Sequence, residues 1–295
     1  MVADVHGGRS LTVAARPFCG ACERDGEAVA RFVVDGYAVV RCGSCGTVFT
    51  DVDPAFDAGA MYGAAYFEGG QTVSYPGYGA SARVLEREFS RSLTVLRRWV
   101  PAGRLLEVGA AYGIFLRVAR RHFIVRGLDV SAAAVAIARE SGLDARHGDL
   151  CAKEAPELDG PFDAVVLLDT IEHLRWPLRA LRRLRDVTRP GAALLLTTGD
   201  GGSVVARLCG RHWRLMTPPE HLFFFDRVTL ARLLEAAGFD IVLIDRPWKL
   251  VPLGLILHRG TRRWAPAGRF ARRLVGAGVP LNLFDTMRVV AIRRE

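Results

Sequence analysis

Between residues 104 and 293, short apolar runs alternate with stretches of helical period, and this alternation restricts the fold more than any other feature of the chain. Strands are predicted at 104–108, 123–129, 144–147, 164–168, 192–198, 239–245 and 287–293. Helices are predicted at 114–121, 132–141, 178–186 and 228–237, the last stopped by Gly238. The run at 164–168 is apolar throughout, which suits a strand covered on both faces. Repeated strand–helix units imply an α/β fold: a doubly wound, mostly parallel, seven-stranded sheet with helices on both faces. A longer amphipathic helix is expected ahead of it, over 82–100, with Val84, Leu85, Phe89, Leu93, Leu96 and Trp99 on one side.

The first strand runs into Leu106-Glu107-Val108-Gly109-Ala110-Ala111-Tyr112-Gly113, followed by a helix. Small residues at such a turn let a ligand approach the backbone closely. A dinucleotide fold needs a third small residue where this chain has Ile114. Instead, the small residues are Gly109, Ala111 and Gly113, and Glu107 precedes the first by two places. A carboxylate there would repel a diphosphate and suits a cofactor bearing an ammonium group, as S-adenosylmethionine (SAM) does. The second strand ends at Asp129, with Val130 next, where a carboxylate can accept the two ribose hydroxyls. The third leads to Asp149 and Leu150, where an acid can reach the adenine amino group. Each acid alone could be a helix cap or a solvated loop residue. Three acids at the carboxyl ends of successive strands favour the cofactor, because ligands bind such sheets at those ends.

Two Cys-x-x-Cys pairs, Cys19/Cys22 and Cys42/Cys45, lie 19 residues apart near the N-terminus. Between them, β-prone runs at 30–34 and 37–40 flank Asp35-Gly36, a hairpin signal that returns the second pair to the first. Gly20, Gly43 and Gly46 would let amides turn toward the sulfurs. The pattern is that of a zinc ribbon with four thiolates around a closed structural zinc. A redox dithiol would need a single pair at a helix start. Cys151 and Cys209 stand apart.

Residues 104–245 resemble class I SAM-dependent methyltransferases. The resemblance rests on Glu107-Val-Gly-Ala-Ala-Tyr-Gly113, Asp129, Asp149, Asp169-Thr-Ile-Glu172-His173-Leu174 and Arg189-Pro190-Gly191. It implies a Rossmann-like fold, a glycine turn holding the methionine part of SAM, and a second-strand acid holding the ribose. Ala111 departs from the usual glycine, and alanine suits that place if its φ stays negative. Asp169 and Glu172 follow the fourth strand on the side that faces substrate in this family. A second segment, Pro218-Pro219-Glu220-His221-Leu222, resembles a small-molecule branch in which such a sequence borders the active site. His221 is expected to serve as general base, with Glu172 and His173 shaping the same pocket. For His173 a purely structural bond to a backbone carbonyl at a helix start is the stronger expectation. Asp169, Glu172, His173 and His221 also resemble the ligand set of magnesium-dependent RNA methyltransferases, which makes magnesium the weaker cofactor expectation beside SAM and zinc.

Three parts are expected: a zinc-ribbon module (1–55), a Tyr/Gly-rich segment with its lead-in helix (56–100), and a SAM-binding domain (101–295) interrupted by an insertion at 246–286. The insertion is apolar and basic, which suggests a lid over an anionic small molecule or an added helix. The net charge is +9, carried by arginine except at Lys153 and Lys249. Such a skew is as much compositional as functional, so nucleic acid is the weaker partner and an RNA methyltransferase the second enzyme reading. A non-catalytic zinc-ribbon protein is the remaining alternative, opposed by Glu107, Gly109, Gly113 and Asp129 all being present. The polar first ten residues hold no apolar leader, and no run is long enough to cross a bilayer, so a cytoplasmic enzyme is expected, acting on a small molecule such as a nucleotide-linked sugar or a secondary-metabolite intermediate.

Overall fold

Alternate side chains of a strand point to opposite faces of its sheet, and the apolar runs of this chain fill both. Leu106, Val108, Val165, Leu167, Leu194 and Leu196 belong to one core, whereas Leu105, Ala164, Val166 and Leu195 belong to the other. The computed structural model describes residues 17–53, 55–63, 81–252 and 278–295. The Tyr/Gly-rich stretch after Gly63 lies outside them. So do Arg259, Arg262, Arg263, Arg269, Arg272 and Arg273 of the insertion.

The N-terminal part begins with two short paired strands, β1 (Phe18–Cys19) and β2 (Arg24–Asp25). A hairpin of β3 (Ala28–Val34) and β4 (Tyr37–Cys42) follows, and β5 (Val48–Asp51) pairs with β4. Asp35 and Gly36 both have positive φ (49° and 84°), as a type I′ turn requires. Helix α1 (Ala82–Leu96) buries Val84, Leu85, Leu93 and Leu96. It stops short of the predicted end, and Trp99 is exposed rather than packed.

The α/β domain then runs β6 (Gly103–Val108), α2 (Ile114–Ala119), β7 (Phe123–Asp129), α3 (Ala132–Glu140), β8 (Ala145–His147), β9 (Phe162–Leu168), α4 (Pro177–Asp186) and β10 (Thr188–Gly199). It continues with α5 (Val204–Cys209), β11 (Phe223–Phe224), α6 (Arg227–Ala236), β12 (Phe239–Asp245), β13 (Lys249–Pro252), β14 (Gly278–Leu281) and β15 (Thr286–Arg293). The seven-stranded sheet has the order β12–β15–β10–β9–β6–β7–β8, and β15 runs antiparallel between β12 and β10. The order reverses at β6, and the carboxyl ends of β6, β7 and β9 meet beside that switch point, where ligands of such sheets bind. The insertion opens and closes on the antiparallel pair β13–β14.

The two parts share a sheet. Strand β11, from the loop after α5, pairs with β5, so that Phe223 faces Phe49 and Phe224 faces Val48. Phe49, Phe223 and Phe225 are buried with Leu178 of α4 and Leu230 of α6 in one core. Among the described residues, no helix is long and apolar enough to cross a membrane.

Candidate active site

At the end of β6 the chain turns back on itself through Gly109 and Gly113, with φ of 75° and 70°. A Cβ at Gly109 would lie 2.5 Å from Thr170 Oγ1, and one at Gly113 2.3 Å from Leu143 Cδ1, so side-chain packing as well as backbone conformation calls for glycine. Ala111 also has positive φ, 45°, which corrects the expectation of a negative value. The reason is a local bond: the Ala111 amide donates to Asp129 Oδ2 at 2.7 Å. That charge-assisted contact, in a buried place, offsets a left-handed alanine.

Asp129 thereby ties two loops together, for its Oδ1 accepts from the Ser131 amide at 2.8 Å. Burial pushes its carboxyl above the ordinary range, against the pull of both amides. Each oxygen keeps a lone pair for a further donor. Glu107 is buried, and its Oε2 has no hydrogen-bond partner. Burial first, and the Asp129 charge second, push its carboxyl well upward. A buried carboxyl oxygen without a partner, beside a second acid, suits a cation or a strong donor. Val130 follows Asp129, and its carbonyl contacts His147 Nε2 at 3.1 Å. Asp149 uses Oδ1 to hold the Cys151 amide at 2.7 Å, the loop-fixing role, while Leu150 beneath it is buried.

On the other side of the switch point, Asp169 follows β9 with φ of 49°. Its amide bonds Thr197 O and Oγ1, both at 3.0 Å, and its Oδ1 accepts from Thr197 Oγ1 at 2.8 Å. Lys249 Nζ donates to Asp169 Oδ2 at 2.7 Å and lies 3.3 Å from Glu88 Oε1. Although poor solvation opposes ionisation of Asp169, the Lys249 ammonium holds its carboxyl below the usual range. Lys249 and Glu88 were not anticipated from sequence.

Glu172, His173 and His221 converge, with one potential ligand atom from each lying within 4.8 Å of the others. His221 Nδ1 is 2.7 Å from Leu215 O, so it carries the proton and donates it, which leaves the Nε2 lone pair open. Burial, and then the neighbouring His173, push the His221 pKa down to about 3. Glu172 is buried with Oε2 unpartnered, and burial pushes it up to about 7 despite His173. His173 lies in a single 3-10 turn, Ile171–His173, with Nδ1 2.8 Å from both Glu220 O and Tyr62 Oη. The expected carbonyl bond is present, but α4 starts only at Pro177, so His173 caps no helix. Tyr62 was missed from sequence, where only the richness of its segment in tyrosine drew notice. Asp169 is absent from this cluster, held instead by Thr197 and Lys249.

The cysteines form a second cluster. Cys19 and Cys45 sulfurs are 3.7 Å apart and those of Cys22 and Cys42 3.8 Å, while Cys151 and Cys209 stay away. A tetrahedron with arms of about 2.3 Å has edges of about 3.8 Å, so the spacing suits zinc. The Gly43 and Gly46 amides bond the carbonyls of Glu27 and Cys42, contrary to expectation; the Cys45 amide faces Cys42 Sγ at 3.5 Å. Gly20 and Gly43 serve close approach instead: a Cβ would lie 2.4 Å from Arg175 O at Gly20, in the segment that follows Glu172 and His173, and 2.7 Å from Glu27 O at Gly43, whereas Gly46 answers a φ of 80°.

The cysteine module also grips the histidine loop directly. The Thr50 amide donates to Leu222 O at 2.9 Å, and Thr50 Oγ1 donates to His221 O at 2.8 Å. From the opposite side the Leu222 amide donates to Glu172 O at 2.8 Å.

Comparison with known proteins places this geometry. A family profile described as a methyltransferase domain matches residues 81–244. The ubiquinone biosynthesis O-methyltransferase of Ruegeria pomeroyi is 27% identical over 203 residues, 62% of this chain and 82% of that protein. Its counterpart in Aeromonas salmonicida is 26% identical over 147 residues, 46% of this chain, and the chain spans only 62% of that relative's length. A SAM-dependent methyltransferase structure from Thermotoga maritima shares the fold with a TM-score of 0.51 and 19% identity, over 73% of this chain and 91% of the other.

Proposed function

The chain belongs to the methyltransferase-domain family of class I SAM-dependent enzymes, and from that premise we propose that it methylates a hydroxyl group of a small-molecule acceptor at the Glu172–His221 cluster. The observation that carries the proposal is the juxtaposition of a neutral, oriented imidazole with an unpartnered buried carboxylate beside the array of strand-end acids. The resemblance to two O-methyltransferases favours oxygen as the methylated atom.

Bound SAM supplies a methyl group on a sulfonium, already activated toward displacement. Glu107 is assigned to the ammonium end of the cofactor, answering its orphaned oxygen. The turn through Gly109, Ala111 and Gly113 lies against the same end, and Asp169 borders it. Asp129 would accept the ribose hydroxyls, Asp149 would serve the adenine amino group, and Val130 and Leu150 would flank the base. His221, oriented by its Nδ1–H on the Leu215 carbonyl, would accept the acceptor hydroxyl's proton at Nε2. Ionised Glu172 stabilises the cation that His221 becomes, while His173, anchored on the Glu220 carbonyl, positions the pair.

Cys19, Cys22, Cys42 and Cys45 are assigned to structural zinc, within the three-part organisation 1–55, 56–100 and 101–295. Magnesium is the weaker assignment. Two imidazoles and one carboxylate are not the oxygen-rich set that magnesium prefers, and Asp169 is already ion-paired.

The cofactor assignment is tested by calorimetry with S-adenosylhomocysteine. Asp129→Ala should weaken binding by about 1.5–3 kcal/mol, the worth of hydrogen bonds to a charged acceptor. Unchanged affinity would remove Asp129 from the site.

A further inference from the structure

Beside the acid cluster, a cavity of about 530 Å³ opens between α1 and the segment that joins β12 to β13. It adjoins the active site through two shared residues: Thr197 and Lys249 line it, and both bind Asp169. Its other walls include Arg91 from α1, Arg98 from the turn after it, Arg246, Trp248, and Arg288 from β15.

Five cations face this space against two acids, Glu88 and Asp245. Three of the cations are already engaged. Arg288 forks onto Asp245, Arg246 bonds Asp200 at 2.8 Å, and Lys249 joins Glu88 to Asp169. Arg91 and Arg98 have no ion pair among the described residues. Arg91 lies in the C-terminal half of α1 and Arg98 in the turn that follows its end at Leu96, and both line the cavity. A guanidinium's fork of donors matches phosphate oxygens, and two of them over one cavity form a pincer for an anion with several oxygens. Trp248 is 57% exposed at the same wall, with an indole face open for a flat ring. Arg246 adds a buried Nε–H that lacks a partner.

We propose that this cavity holds the phosphate or diphosphate ester of the methyl acceptor, gripped by Arg91 and Arg98, with a planar ring of the same molecule against Trp248. The proposal rests on methyl transfer at the Glu172–His221 cluster, and it places the acceptor's anionic tail on the Asp169 side of that cluster. Lys249 then has a bridging function. In a chain whose other cations are almost all arginine, it ties the floor of the tail site to the residue that follows β9.

Calorimetry on the full chain tests this with three probes: inorganic pyrophosphate, uridine diphosphate and uridine. S-adenosylhomocysteine is titrated into the same samples. Uridine diphosphate and pyrophosphate should bind and uridine should bind far more weakly. The double variant Arg91→Ala/Arg98→Ala should weaken both phosphate probes by about tenfold or more, with S-adenosylhomocysteine affinity unchanged. Trp248→Ala should weaken uridine diphosphate and leave pyrophosphate as it was. Equal phosphate affinity in the double variant, or no phosphate binding in a protein that still binds S-adenosylhomocysteine, would overturn the tail site and leave the cofactor reading intact. A short single-stranded RNA is the remaining arm. Tight RNA binding that depends on these arginines, with no binding of uridine diphosphate, would assign the surface to nucleic acid and refute the proposal.

Discussion

Thr50→Val changes one atom group in the cysteine module and should be felt at His221, the proposed base. Thr50 is 2% exposed, and its hydroxyl donates to the His221 carbonyl at 2.8 Å. Valine keeps the shape and the strand pairing, including the Thr50 amide bond to Leu222 O, but leaves the carbonyl without this donor. A net hydrogen bond contributes about 0.5–1.5 kcal/mol, and an unsatisfied buried acceptor costs about 1–3 kcal/mol. Global stability should therefore fall by about 1–3 kcal/mol, read from the urea midpoint. His221 has two remaining main-chain ties, its amide to Thr217 O and Nδ1 to Leu215 O. The ring should loosen without leaving, and kcat should drop by about tenfold, the scale set by a displaced catalytic group. The Kd for S-adenosylhomocysteine and the KM for SAM should hold, because no cofactor-assigned residue touches Thr50. Thr50→Ser, which restores the hydroxyl, should recover most of kcat. A variant that loses stability yet keeps full kcat would show that Thr50 only holds strands together, and the positioning argument would fail.

Other expectations follow from the same geometry. Ala111→Gly should raise stability by about 1 kcal/mol or less, since relief of a left-handed alanine exceeds the added freedom of the unfolded chain; a loss beyond about 1 kcal/mol would mean that methyl packing against Ala134 dominates. With burial raising Glu172 to about 7, kcat/KM should climb as pH rises through about 7, because the carboxylate is the active form, whereas His221, near 3, stays neutral throughout. Glu172→Gln should abolish that limb, and a limb that persisted in the variant would belong to another group. Elemental analysis should find one zinc per chain, lost in Cys42→Ser and kept in Cys151→Ser and Cys209→Ser; protein purified without chelator and lacking zinc would refute the ribbon assignment.

The elements were legible wherever periodicity and local chemistry decide structure. The runs at 104–108 and 123–129 became β6 and β7 nearly residue for residue, and Asp35-Gly36 made the hairpin turn for which only local sequence is needed. Strand-end acids were legible because the fold class dictates where strand ends go. Tyr62, Lys249 and Thr50 were not, since they reach their partners across 111, 80 and 171 residues, and no local pattern carries such contacts. Lys249 had one faint signal: a lysine where the composition supplies arginine. Ala111 was misjudged because its conformation is set by Asp129, 18 residues later, and not by its own preference.

The pairing of β5 with β11 bears on the order in which the protein can be completed as it is synthesised. Residues 17–53 are made before the α/β domain and contain every cysteine of the cluster. Yet the open edge of β5, with Val48 and Phe49, finds its partner only when Phe223 and Phe224 have left the ribosome. Until then that edge is an unpaired β-template of the kind that promotes association between chains. The last piece of the first module is thus supplied by the second, and the edge is covered only once His221, the proposed base two residues upstream of that strand, has been made.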